Sequence, residues 1–207
     1  MSDVAGSLAA LIGELPWWVW AAMAVLVALG SVLQVGAGVG FGSLVAPGTM
    51  LIAPALMPGA VIVLSFLSAA LGATRLSAGI AYREVAIAVT GRAIGAAVAG
   101  WLIVTLGSRD GFALLFAAMT LAGVVMSFAR LRVAPSVPVL LGAGFLSGLM
   151  ATVTTIGGPP MALVYQDRAP ELARPTLNMF FALGMIPPIV SLWIAGVLDL
   201  ASAGRAL

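Results

Sequence analysis

Polar and turn-forming residues punctuate this chain only at wide intervals, and the stretches between them are almost wholly apolar. A helix rising about 1.5 Å per residue needs about 20 apolar residues to cross a hydrocarbon layer about 30 Å thick. Six segments meet that pattern, at 17–45, 59–74, 84–106, 111–129, 138–164 and 175–198. The second is short unless its start reaches back toward Pro54. The first and fifth are too long for one straight crossing, and both carry Gly and Pro in their interior. The predicted fold class is all-α and integral to a membrane, with six transmembrane helices in a single domain over residues 1–207. Trp17, Trp18 and Trp20 open the first run, as aromatic rings do at a membrane interface. The charged side chains ahead of them are Asp3 and Glu14, not the basic residues of a cleavable signal, so the first helix is expected to be retained.

Composition points the same way. The chain is 62% hydrophobic and 8% charged, with a mean hydropathy of +1.19, whereas soluble domains carry about 25% charged residues. No soluble fold covers that much apolar surface, which makes the lipid bilayer the expected partner. Cysteine and histidine are both absent, removing disulfides, thiol chemistry, the usual zinc and haem ligands and a histidine proton relay. Nine basic residues against seven acidic ones leave a charge of +2, too little to argue for nucleic acid, and no polybasic run exists. There is no nucleophile–base pair, metal-ligand cluster or nucleotide-binding fingerprint, so neither enzyme activity, ATP-driven transport nor a cofactor is expected.

The two interrupted stretches read GVGFGSLVAPGTMLIAPALMP at 38–58 and MATVTTIGGPPMALVYQDRAP at 150–170. One ungapped register superposes Leu29 on Leu141, Gly30 on Gly142, Gly36 on Gly148, Pro47 on Pro159, Leu51 on Leu163 and Pro58 on Pro170. It continues to the Ala-Leu-Gly of 70–72 on that of 182–184. Interruptions at corresponding places in two halves point to the binding site of a secondary transporter. The register implies a tandem four-helix repeat whose first helix is broken in each copy. The first repeat covers 17–128; the second, 129–207, is incomplete and lacks the counterparts of the last two helices. A homo-oligomer could supply their packing surface. In this arrangement Arg75, Arg83, Arg130, Arg132 and Arg205 fall on one side and Arg109, Arg168 and Arg174 on the other, which places the first set and both termini in the cytoplasm.

Candidate chemistry gathers at the interruptions. Glycine at 36, 38, 40 and 42 and the pair Gly157–Gly158 let the backbone leave helical geometry, while Pro47, Pro159 and Pro160 remove amide donors. Within a membrane, freed backbone groups are tolerated when buried in protein or lining a wet cavity. A half-helix starting there offers free N–H groups and a dipole that favours an anion. Ser43, Thr49, Thr152, Thr154 and Thr155 add hydroxyls. The competing reading is packing, since Gly36/Gly40, Gly91/Gly95 and Gly144/Gly148 have the four-residue spacing that lets helices approach closely. Arg92 lies about 13 Å along a helix from Arg83, inside the third span, where it faces protein, water or an anion, or snorkels to the interface. Gln34 and Asn178 are each either an interhelical hydrogen bond or a pathway group. No span centre carries Asp or Glu, so a carboxylate relay for protons or sodium lacks a carrier and a small anion fits better. The expected substrate-binding set is Ser43, Pro47, Thr49, Arg92, Thr154, Thr155, Gly157, Gly158 and Asn178, with no metal site. The alternatives are a non-transporting membrane subunit or incomplete transporter whose glycines serve packing, an intramembrane enzyme, and a passive channel. The enzyme is disfavoured because histidine, cysteine, lysine and a buried acid pair are all lacking.

On these residues the chain resembles the sulfite exporter TauE/SafE family of bacterial membrane transporters. The likeness rests on GFGSLVAPGTMLIAPAL, on TIGGPPMALVYQ followed by RPTLNMFF, and on REVAIAVTGRAIGAAVAG, and it covers most of residues 20–198. It implies a tandem four-helix repeat in the bacterial inner membrane that moves a small sulfur-containing or organic anion, such as sulfite or a sulfonate, bound near the two broken segments. The chain departs from the family at Ala46-Pro47-Gly48, where many members have a richer glycine run, and in lacking the last two spans.

Overall fold

The computed structural model describes residues 15–56, 59–106, 109–128, 133–187 and 190. Among these residues the chain is helical, with no strand. Its elements are α1 (Trp17–Ala37), α2 (Phe41–Ile52), a 3-10 turn at Pro54–Leu56, α3 (Gly59–Arg75), α4 (Tyr82–Leu106), α5 (Arg109–Phe128), α6 (Val137–Thr154), α7 (Gly158–Tyr165) and α8 (Pro170–Gly184). Four of them, α1, α4, α5 and α6, are long and apolar enough to cross a membrane. Large apolar side chains such as Trp17, Leu51, Leu114 and Phe128 stand exposed on the outside, as expected where lipid is the solvent. The stretch predicted as a sixth span, 175–198, is described over 175–187 and at 190, and its remainder lies outside the described residues.

The overlong first segment is not one crossing. It is an antiparallel pair, because α2 turns back along α1: Gly30 packs on Val45 and Phe41, Gly48 on Leu26, and Ala53 clusters with Val19 and Met23. The fifth segment does the same. Gly157 lies on Ser147 and Ala151, and Met161, Val164 and Tyr165 cluster with Leu140 near the start of α6. Each turn spans three residues, Gly38-Val39-Gly40 and Thr155-Ile156-Gly157. Gly38 (φ 81°) and Thr155 (φ 62°) both take the left-handed conformation that ends the preceding helix. Their amides donate to Gln34 O at 2.8 Å and to Ala151 O at 2.9 Å. The prolines do not make these turns. Pro47 sits inside α2, and Pro159 and Pro160 lie in the first turn of α7, where a missing N–H costs nothing. The turns therefore pair Gly38 with Thr155, whereas the ungapped register pairs it with Met150; the second copy is shorter between its turn and its next helix. That register returns at Gly72 and Gly184, each of which leaves room for a buried polar side chain, Asn178 and Arg92 respectively.

The remaining helices fix the ends of the bundle. Helix α3 runs beside α1, joined by a 2.7 Å hydrogen bond between Ser31 and Ser68. It lies antiparallel to α8, since Gly72 meets Asn178 and Gly79 meets Glu171. Helices α4 and α6 are parallel and interlocked. A Cβ on Gly91 or Gly95 would overlap the carbonyl oxygens of Leu141 or Phe145, and one on Gly144 or Gly148 those of Ala88 or Arg92. The packing reading thus holds for these two pairs, while Gly36 has nothing within 4 Å of its Cβ position. Tyr165 and Arg168 bond Glu84 at the start of α4. Arg168 and Arg174 accordingly share one end with Arg75 and Arg83, correcting the division expected from a single crossing. Trp17 and the start of α5 lie at the opposite end. The two hairpins enter from opposite ends and overlap at their tips: the Cβ position of Gly42 is 2.6 Å from Thr155 O, and that of Gly158 is 3.8 Å from both Val39 Cβ and Ser43 Oγ.

Candidate functional site

Between the hairpin tips, level with Arg92 in α4, lies a cavity of about 20 Å³, lined by Ser43, Ser65, Thr155, Gly158, Phe181 and Met185 together with Gln34 and the hinge glycines Gly40, Gly42 and Gly157. That volume takes about one water. Helix α2 starts at the cavity, so the N–H groups of Gly42 and Ser43, which belong to the unpaired first turn of a helix, are delivered to it; Phe41 N–H is already given to Gln34 Oε1 at 3.5 Å. Helix α7 starts there too but contributes less, because Pro159 and Pro160 leave Gly158 as the amide of its opening residues. Ser65, on α3, is 6% exposed, and its hydroxyl has no hydrogen-bond partner among the described residues. With the Ser43 hydroxyl, the cavity presents mostly donors, against the Thr155 carbonyl as an acceptor. No carboxylate lines it.

Two polar assemblies hold the turns around this cavity. At the first, Gln34 Nε2 donates to Gly38 O at 2.9 Å and to Asn178 Oδ1 at 3.4 Å, and Asn178 Nδ2 donates to Arg174 O at 2.9 Å. At the second, Ser147 Oγ donates to Gly157 O at 2.6 Å and accepts from Arg92 Nη1 at 2.8 Å. Arg92 is 0% exposed. Its Nε donates to Gly184 O at 2.6 Å, Nη2 approaches the Met185 sulfur at 3.9 Å, and Phe180 and Phe181 set their rings 5.1 and 5.2 Å from Cζ. No carboxylate pairs with it among the described residues. The arginine that sequence reading placed at the site therefore stands behind the cavity wall, sharing Phe181 and Met185 with it and bracing the second turn through Ser147.

Of the nine expected residues, Ser43, Thr155, Gly157 and Gly158 meet at the cavity. Thr154 braces the second turn, donating to Met150 O and accepting from Ile156 N–H at 3.2 Å. Thr49 donates to Val45 O within its own helix, and Pro47 is exposed on the outer face of α2. Arg92 and Asn178 are framework. The residues that sequence reading did not single out are Gly40, Gly42, Ser65, Phe181 and Met185, while Gln34 was noted without being assigned to the site. Ser65 had a signal, a hydroxyl in an otherwise apolar run, but nothing in the order of residues brings α3 and α8 to the hairpin tips. Comparison of the chain with protein-family models, with curated proteins and with solved structures finds no match for it.

Proposed function

We propose that this protein carries a small anion across a membrane and binds it in the cavity between the two hairpin tips. The observation that carries the reading is the lining itself: free amides of Gly42 and Ser43 at a helix start, the hydroxyls of Ser43 and Ser65, and no acid. Donors in a site of low dielectric favour negative charge. The inverted hairpins support alternating access, since a tip that enters from each end can be withdrawn from either side. At about 20 Å³ the cavity holds less than a sulfite, so binding requires the tips to part. Resemblance to the sulfite exporter family, with its tandem four-helix repeat, supports the same substrate class: sulfite, sulfonates or related organic anions.

Uptake of radiolabelled sulfite by proteoliposomes tests this. Gly158→Leu places a side chain into the cavity and is expected to abolish flux. Ser65→Ala removes one hydrogen bond to a charged guest, about 1.5 kcal/mol, and should raise KM about tenfold. Gly142→Ala, in open space outside the site, should leave flux unchanged. Saturable flux indifferent to Gly158→Leu and Ser65→Ala would move binding elsewhere. Folded protein with no flux of sulfite, sulfonates or carboxylates would leave the packing subunit as the reading.

A further inference from the structure

Toward the arginine end a second, larger space opens. This cleft of about 360 Å³ lies between the end of α1, the end of α7 and the start of α8. Its charged lining is Arg168 and Arg174, with no Asp or Glu among the lining residues. Arg174 is exposed, and its guanidinium has no ion pair or hydrogen bond among the described residues. Arg168 is tethered 3.3 Å from Glu84, whose other oxygen accepts the Tyr165 hydroxyl. Asp167 and Glu171 belong to the same end without lining the cleft. Val39, the middle residue of the first turn, lines the cleft and faces Gly158, which lines the central cavity. One side chain thus stands between the two spaces.

We propose that this cleft is a second anion site, in which Arg174 captures a small sulfonate- or sulfite-like oxyanion from solution ahead of passage beneath Val39. A guanidinium offers an oxyanion two parallel N–H donors and keeps its charge at any physiological pH. The cleft has the volume of a small-molecule site, whereas the smaller central cavity does not. Capture needs nothing from the central cavity; the onward passage alone rests on the transport reading.

The chain contains no cysteine, so a single thiol reports local reagent access. Ala37→Cys, at an exposed position on the cleft wall, is modified in the full-length protein with an anionic methanethiosulfonate, the sulfonatoethyl reagent, or its cationic trimethylammonioethyl counterpart. The ratio of the two rates is normalised to that for free cysteine. A preference of about tenfold for the anion is expected at this range of charge separation. Arg174→Gln should cut it about threefold or more, and Glu84→Gln, which untethers Arg168, should raise it. Opposite responses from two variants cannot both come from misfolding. Ser65→Cys, at a buried position on the central cavity, should react at least tenfold more slowly than Ala37→Cys, and Val39→Gly should close most of that difference. Equal normalised rates at Ala37→Cys, or a ratio that neither charge variant moves, overturns the capture site. Equal rates at Ser65→Cys and Ala37→Cys overturn the barrier at Val39. Loss of sulfite flux with the cleft preference intact counts against the central cavity alone.

Discussion

Thr155 carries the local strain of the second turn. A non-glycine residue in the left-handed region costs about 1–2 kcal/mol, and a β-branched one is the least suited to it, yet Thr155 holds φ 62° where its counterpart Gly38 holds φ 81°. What keeps it there is a hydroxyl bond to Thr154 O at 2.6 Å and the brace from Ser147 to Gly157. Strain of this kind clusters at moving or binding segments, and Thr155 lines the cavity. Thr155→Asn, which tolerates the conformation, is expected to raise the unfolding free energy by about 1 kcal/mol in detergent; a lower melting temperature would show the threonine hydroxyl outweighing the strain. Gly38→Ala should act in the opposite direction, because its Cβ would also press on Leu177 Cβ at 2.7 Å. The second turn hangs equally on Arg92. Arg92→Lys replaces a planar fork, seated between two rings, with a point charge that cannot satisfy Gly184 O and Ser147 Oγ together. A loss of about 2 kcal/mol is expected, and a lysine variant as stable as the native chain would mean that charge, not the fork, is what the site needs.

At the scale of elements, much was legible and the rest failed for identifiable reasons. The apolar runs located the helices, and the Gly-rich and Gly-Pro stretches located both turns to within a few residues. The return of α2 and α7 was not legible: α2 is as apolar outward as inward, so composition cannot tell a continued crossing from a reversal. Proline drew attention as the breaker, yet Pro47 is absorbed within α2, and the reversals come from backbone conformation at Gly38 and Thr155. Four-residue glycine spacing was ambiguous until partners were visible. Gly91 and Gly95 on α4 interlock with Gly144 and Gly148 on α6, whereas Gly36 and Gly142 touch nothing. This separates two substitutions that look alike in sequence. Gly148→Ala must displace the α4 backbone at Arg92, which also carries the turn brace, and should cost about 3 kcal/mol or more. Gly142→Ala should be neutral or up to about 1 kcal/mol stabilising through helix propensity. Comparable melting shifts for the two would mean that the helices are not packed backbone to backbone.

For the whole molecule, the hairpins change the sidedness that charge implies. With each interrupted segment counted as one crossing, Trp17 and the 76–81 connection fall on the same side. In the structure α1, α2 and α3 run out, back and out again, so those two points lie at opposite ends of the bundle. Among the described residues Arg75, Arg83, Arg168 and Arg174 share the 76–81 end, while Arg109 starts α5 at the Trp17 end. Four against one is a clearer bias than the sequence division offered, and short-loop arginines are retained in the cytoplasm. The arginine end is therefore expected to be cytoplasmic, with Trp17 on the outer side, which reverses the orientation expected for the N-terminus. The cleft at Arg174 would then open toward the cytoplasm, as suits capture of an anion for export. Single-cysteine variants Ser77→Cys and Asp110→Cys lie at the two ends. In intact cells a membrane-impermeant maleimide should label Asp110→Cys, and Ser77→Cys only after permeabilisation. Labelling of Ser77→Cys in intact cells with Asp110→Cys protected would invert the molecule and turn the cleft toward uptake. Equal protection of both would put them on one side of the membrane and undo the hairpin topology itself.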